Sequence, residues 1–165
     1  MKLEAAKAEF IQSWGVLGSS WGINKAMAQI HALLLISPQA LSAEEVMDEL
    51  KISRGNANMN LRALLDWGII QKELRIGERK EFFKAEKDII ELARIITVER
   101  RKREIEPMLK ALNHIQKLDS QKSEDHKEFK KVTGDLLSFT KKANGIMEKF
   151  TKSDKNWFYK LILRV

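Results

Sequence analysis

Two short stretches, Ser53-Arg54-Gly55-Asn56 and Asn60-Leu61-Arg62, hold side chains able to read base edges and grip phosphates. A carboxamide can bridge N6 and N7 of adenine, and a guanidinium can bridge O6 and N7 of guanine. With Leu61 placed on the inward axis and about 100° allowed per residue, Ala57, Leu64 and Leu65 fall on the buried side. Gly55, Asn56, Met59, Asn60, Arg62 and Ala63 fall on or beside the outward face, which carries no acid before Asp66. Ser53 is a good N-cap. Arg54 next to it can clamp a phosphate, because free N–H groups and the helix dipole favour an anion there. Gly55 costs about 1 kcal/mol relative to alanine inside a helix, and close approach to a phosphate is a reason to accept that cost. Asn56 and Arg62 are the expected base readers. Ser53, Arg54, Arg75, Arg79 and Lys80 are expected to hold the backbone or the minor groove. For Arg79 and Lys80, the alternative is that they only solvate a turn and pair with Glu78 and Glu81.

These residues need a frame. Leu3, Ala6, Phe10, Trp14 and Leu17 recur at three- and four-residue spacing and predict a first amphipathic helix, after which Gly15, Gly18 and Gly22 punctuate the chain. A second helix runs from an N-cap at Asn24 to Ser37 before Pro38, with Met27, Ile30, Leu34 and Leu35 as its stripe. Ser42 and Glu45 form a capping box for a short helix ending near Leu50, with Val46, Met47 and Leu50 inward. The helix capped by Ser53 ends at Trp67-Gly68, where Gly68 suits a left-handed C′ position. Two apolar segments, Ile69–Leu74 and Glu81–Ala85, flank the basic loop Arg75–Lys80 and predict a β-hairpin. Helix, short helix, helix, hairpin is the order of a winged helix-turn-helix.

Beyond Asp88 the pattern is helical past Arg103, and Pro107 must kink the helix or start a new one. Ile105, Met108, Leu109, Leu112 and Ile115 continue the apolar face. Residues 120–125 read as a polar turn. Phe129, Val132, Leu136, Phe139, Ala143, Ile146 and Phe150 then alternate steps of three and four, a coiled-coil-like seam. Trp157, Phe158, Leu161, Ile162 and Val165 form a last apolar face. The expected domains are an N-terminal helix at 1–22 for dimerisation and ligand, a winged helix-turn-helix at 23–87 and a helical dimerisation arm at 88–165. The fold class is mainly α with a small β-hairpin wing, plus dimerisation helices at both ends.

Composition narrows the chemistry. The chain has 165 residues, 30 basic against 23 acidic, a net charge of +7 and no cysteine. Lack of cysteine removes disulfides, thiolate zinc sites and cysteine nucleophiles together. The charge is uneven. Residues 1–50 carry a net −3, residues 51–87 carry nine basic against five acidic groups, net +4, and residues 88–165 carry +6. The middle block is therefore the densest in positive charge. No apolar run reaches the length of a membrane span and the N-terminus lacks a signal-like h-region, so the expectation is a cytoplasmic protein with no membrane partner. No motif for nucleotide binding or hydrolysis occurs, so no enzyme activity and no cofactor are expected. His31, His114 and His126 are scattered and no metal site is expected. The run Arg100-Arg101-Lys102-Arg103 reads as a solvated helix face; the alternative is contact with DNA phosphates outside the operator. Trp14 and Trp21 are the candidates for an aromatic contact with a small-molecule effector; the alternative is that both fill core or interface.

At Ser53-Arg54-Gly55-Asn56, Asn60-Leu61-Arg62-Ala63-Leu64, Trp67-Gly68-Ile69-Ile70 and Gly77-Glu78-Arg79-Lys80-Glu81-Phe82-Phe83, the sequence resembles the GbsR-type regulators of the MarR superfamily. Trp21-Gly22 is similar as well, and the resemblance spans about residues 10–110. It implies a homodimeric winged-helix repressor on double-stranded DNA with a pseudo-palindromic operator. The helix Ser53–Trp67 would be the recognition helix, Gly77–Lys80 the wing, and a small-molecule effector would relieve binding. Some relatives govern the osmoprotectant glycine betaine and sense choline, a ligand not carried over to this chain. A winged helix serving only as a protein-interaction scaffold is the rival reading.

Overall fold

The structure is a computed structural model and describes residues 1–118 and 123–153. Part of the expected turn at 120–125 and all of the apolar face from Trp157 to Val165 lie outside the described residues. The chain forms two compact units, Met1–Leu92 and Ala93–Val165. Helix α1 (Leu3–Ser20) packs with the winged helix in the first unit.

Helix α2 (Lys25–Ile36) begins where Asn24 Oδ1 accepts from the N–H groups of Ala26 and Met27 at 2.8 and 3.3 Å. It is the axis of the unit. Met27, Ala28, Ile30, His31, Ala32, Leu33 and Leu34 are all buried, because α1, α3 and α4 and the sheet pack around it. The expected stripe of four residues is thus too narrow for a helix surrounded on nearly every side.

Gly15 and Gly18 do not end α1 as expected; they lie within it and are its only buried residues. A Cβ on Gly18 would stand 2.5 Å from Ala28 Cβ, and one on Gly15 would meet the Gln29 side chain at 2.7 Å. The two glycines let α1 approach α2 closely, and the chain turns only at Trp21-Gly22.

Helix α3 (Ala43–Leu50) carries the full capping box. Ser42 N–H and Oγ donate to Glu45 Oε2 at 2.7 and 2.8 Å, and Glu45 N–H donates to Ser42 Oγ at 3.3 Å. Those two donors at Ser42 hold the Glu45 carboxyl below its ordinary pKa range. Lys51 ends α3 at φ +53, a left-handed position that a side chain other than glycine adopts at a cost. Helix α4 (Arg54–Asp66) follows two residues later, with Ser53 Oγ accepting from Asn56 N–H at 3.3 Å.

The hairpin forms as β2 (Ile70–Glu73) and β3 (Phe82–Ala85), paired antiparallel with Ile70 opposite Ala85 and Glu73 opposite Phe82. A third strand, β1 (Leu41–Ser42), pairs with the other edge of β3, giving the order β1-β3-β2. Two residues carry no readable period, and Ser42 also serves as the cap of α3. Phe82, Phe83 and Ala85 are buried; Gly77, at φ +84, turns the loop.

Asp88 Oδ1 caps α5 (Ile89–Arg100) by accepting from Ile90 and Glu91 N–H groups at 3.1 Å each. A π-helical turn (Arg101–Ile105) links it to α6 (Glu106–Ile115). Pro107, second in α6, explains the wide turn. A regular α turn would press its ring on a carbonyl one turn earlier. Helix α7 (Glu124–Lys152) returns antiparallel within the second unit. Gln116 Nε2 donates to Thr133 Oγ1 at 2.8 Å, Arg101 Nε to Asn144 Oδ1 at 2.9 Å, and Arg94 to the Thr151 carbonyl at 3.3 Å.

Candidate nucleic-acid interface

Helix α4 buries Ala57, Asn60, Leu61 and Leu64. Its inward axis therefore lies roughly half a residue step from Leu61 toward Leu64 and Asn60. That rotation corrects one expected site residue. Asn60 is only 3% exposed and belongs to the packed side. It also brings out a residue the wheel had left aside, Asn58, which is exposed with Arg54, Gly55, Met59, Arg62 and Asp66. Asn56 sits half-buried at the flank, and Ser53 is exposed at the cap. The missed signal was available: centring the wheel on Ala57, Leu61 and Leu64 together, rather than on Leu61, moves Asn58 outward and Asn60 inward.

The electrostatics of this face are simple. Arg54 and Arg62 make no ion pair among the described residues, and Asp66 is the face's one acid. A Cβ on Gly55 would meet nothing within 4 Å, so packing inside the chain does not call for glycine there.

The hairpin loop divides the three expected cations. Arg79 is exposed and unpaired among the described residues. Lys80 is exposed with Glu44 at 4.0 Å. Arg75 is turned back on the sheet: its guanidinium stacks 3.9 Å from the Phe82 ring centre, and it donates to the Ala40 carbonyl at 3.1 Å and Glu73 at 3.3 Å. In the free chain Arg75 ties the base of the hairpin to β1, and the tip presents Ile76, Arg79 and Lys80, with Ile76 fully exposed.

Other expected sites are placed as follows. Trp14 is half-buried, 5.5 Å from Phe10 and 6.2 Å from His31 between ring centres. Trp21 is more than half exposed, two helical turns away, so the two indoles do not share one cage. A cleft of about 500 Å³ opens between α1, α2 and α3, floored by Ile11, Leu33, Leu41 and Leu50, and neither tryptophan lines it. In the basic run, Arg100 pairs with Glu104, Arg103 with Glu99 and Arg101 with Glu106, which leaves little of its charge unspent. Among the described residues no cluster of acidic or histidine side chains could hold a metal ion, and no helix is long and apolar enough to cross a membrane.

A three-helix core, a two-residue strand and a hairpin wing beside the third helix define a winged helix-turn-helix. Among solved structures, the chain is similar to the crystal structure of a transcriptional regulator, with a TM-score of 0.59 and 19% identity over 87% of this chain and 99% of that one. Weaker likenesses are to an S. aureus MepR mutant bound to an oligodeoxyribonucleotide (TM-score 0.42, 14% identity, 82% of this chain and 92% of that one) and to the transcriptional regulator Tm0710 from Thermotoga maritima (0.41, 15%, 92% and 96%). At 19% identity the first of these likenesses bears on the fold alone. No family model and no curated protein matches the sequence.

Proposed function

We propose that this chain is a sequence-specific, double-stranded-DNA-binding transcriptional regulator of the MarR type, GbsR-like in its motifs and acting as a homodimeric repressor. One observation carries the reading: the exposed side of α4 offers Arg54, Gly55, Asn58, Met59 and Arg62, with neither arginine in an ion pair among the described residues, next to a hairpin tip bearing Arg79. Arg62 reads a base edge. Arg54, Arg79 and, more weakly because of Glu44, Lys80 hold phosphates. The test is binding to sites selected from a random DNA pool at several salt concentrations. Arg62→Ala is expected to cost about 1–3 kcal/mol on the selected site and to relax the sequence preference at one position. Arg79→Ala should weaken selected and random DNA alike and reduce the salt slope by about one. Loss of no affinity in either variant would leave a winged helix that binds proteins instead.

Dimerisation is supported by apolar surface with no cover among the described residues. Phe129, Val132, Leu136, Phe139 and Ile146 are exposed along α7, about a quarter turn from the row holding Thr133 and Asn144 that faces α6 and the π turn. Leu3 and Val16 are exposed on α1. Two copies would place two α4 helices on half-sites about 34–36 Å apart. Sedimentation should give a dimer at micromolar concentration, and Leu136→Glu with Phe139→Glu should give a monomer. A wild-type monomer would refute this part. A small effector would relieve repression by binding one spacing of the two α4 helices better than the other, and Trp14 fluorescence is the natural reporter.

A further inference from the structure

Asn60, though buried, gives the outer face a polarity. Its Nδ2 donates to the backbone carbonyl of Asn56 at 2.9 Å and to Asn56 Oδ1 at 2.5 Å. A backbone carbonyl can only accept, so the Asn60 atom facing it must be the amide nitrogen. The Asn56 atom facing that same nitrogen must then be its carbonyl oxygen. One backbone group thereby dictates the orientation of both carboxamides. Asn56 is left with Nδ2, which has no partner among the described residues and is not sealed from solvent.

Resting on the DNA-binding reading above, we infer that Asn60 is a positioning residue for base readout. It turns Asn56 so that the side chain offers donors to the groove. Purines offer N7, guanine also O6, and thymine offers O4, whereas cytosine offers only its N4 amino group as a donor. Asn56 therefore excludes cytosine at the base it meets. Without Asn60, Asn56 rotates freely about its last torsion and presents oxygen or nitrogen equally well.

The experiment is selection of bound sites from random DNA with the full chain, its Asn60→Leu variant and its Asn56→Asp variant, with thermal melting alongside. Wild type is expected to show one position per half-site where cytosine is depleted on the order of tenfold. Asn60→Leu has similar length and removes a buried polar group, so it should melt no lower than wild type. It should keep the half-site spacing and the salt slope, while cytosine depletion at that one position falls to within about twofold. Asn56→Asp keeps the bond from Asn60 and turns the outward donor into an acceptor, so cytosine should become enriched there. Unchanged depletion in Asn60→Leu overturns the inference. So does an even loss of preference at every position, the mark of a purely structural role. If wild type selects no common site, the DNA-binding reading fails and this inference with it; if wild type selects a site and Asn60→Leu selects the same one, only the inference fails.

Discussion

Acidification from pH 7 to pH 4 is expected to cost the folded chain about 3 kcal/mol through His31 alone. His31 is 3% exposed in the middle of α2, its Nε2 has no hydrogen-bond partner among the described residues, and its described ring neighbour is Trp14. Burial without a partner penalises the imidazolium, and the pKa falls from 6.5 to about 4. The unfolded chain takes up the proton below its ordinary pKa and the folded chain does not. The stabilising contribution is therefore whole above pH 6.5, shrinks as pH falls, and is gone below the folded-state value near 4. Urea unfolding at pH 7, 5.5 and 4.5 should show this decline, and His31→Met should remove it. Carboxylates such as Glu45 add their own acid sensitivity, so the measure is the difference between wild type and variant. A difference independent of pH would show that His31 is hydrogen-bonded or solvated in the folded chain.

Substituting valine at Gly18 is expected to cost about 3 kcal/mol. The added Cβ would sit 2.5 Å from Ala28 Cβ, and neither atom has a torsion that could move it aside. The helices must separate, which opens gaps along the whole α1–α2 contact. Gly15 is the control. There the obstacle is the Gln29 side chain, which can swing away, and alanine has a helix propensity about 1 kcal/mol better than glycine. Gly15→Ala should thus be neutral or stabilising in thermal melting, while Gly18→Val melts far lower. Equal effects at the two positions would mean that α1 does not pack on α2 as closely as these distances require.

Most local elements were legible because their signals are local. Asn24, Ser42 with Glu45, and Ser53 cap their helices by reaching backbone N–H groups two or three residues away, a reach that neighbouring residues set by themselves. The hairpin was legible from its β-type segments around Gly77. Strand β1 was not, since two residues show no period and pair with Phe82 and Phe83, forty residues onward. Gly15 and Gly18 were misread as punctuation for the same reason: their role depends on Ala28 and Gln29 coming close.

The candidate interface divides in the same way. Residue order alone determined that a capped helix with an acid-poor side precedes a basic hairpin loop. Only the tertiary structure decided which side of that helix is outward, because neighbours on α2, α3 and β2 set its rotation and take Asn60 inward. It likewise drew Arg75 back onto Phe82 and Ala40, and left Arg79 at the tip. Caps and periods act over three or four residues and can be read from the chain. Helix rotation and the partner a long cation chooses depend on contacts tens of residues apart, and those exist only once the chain has folded.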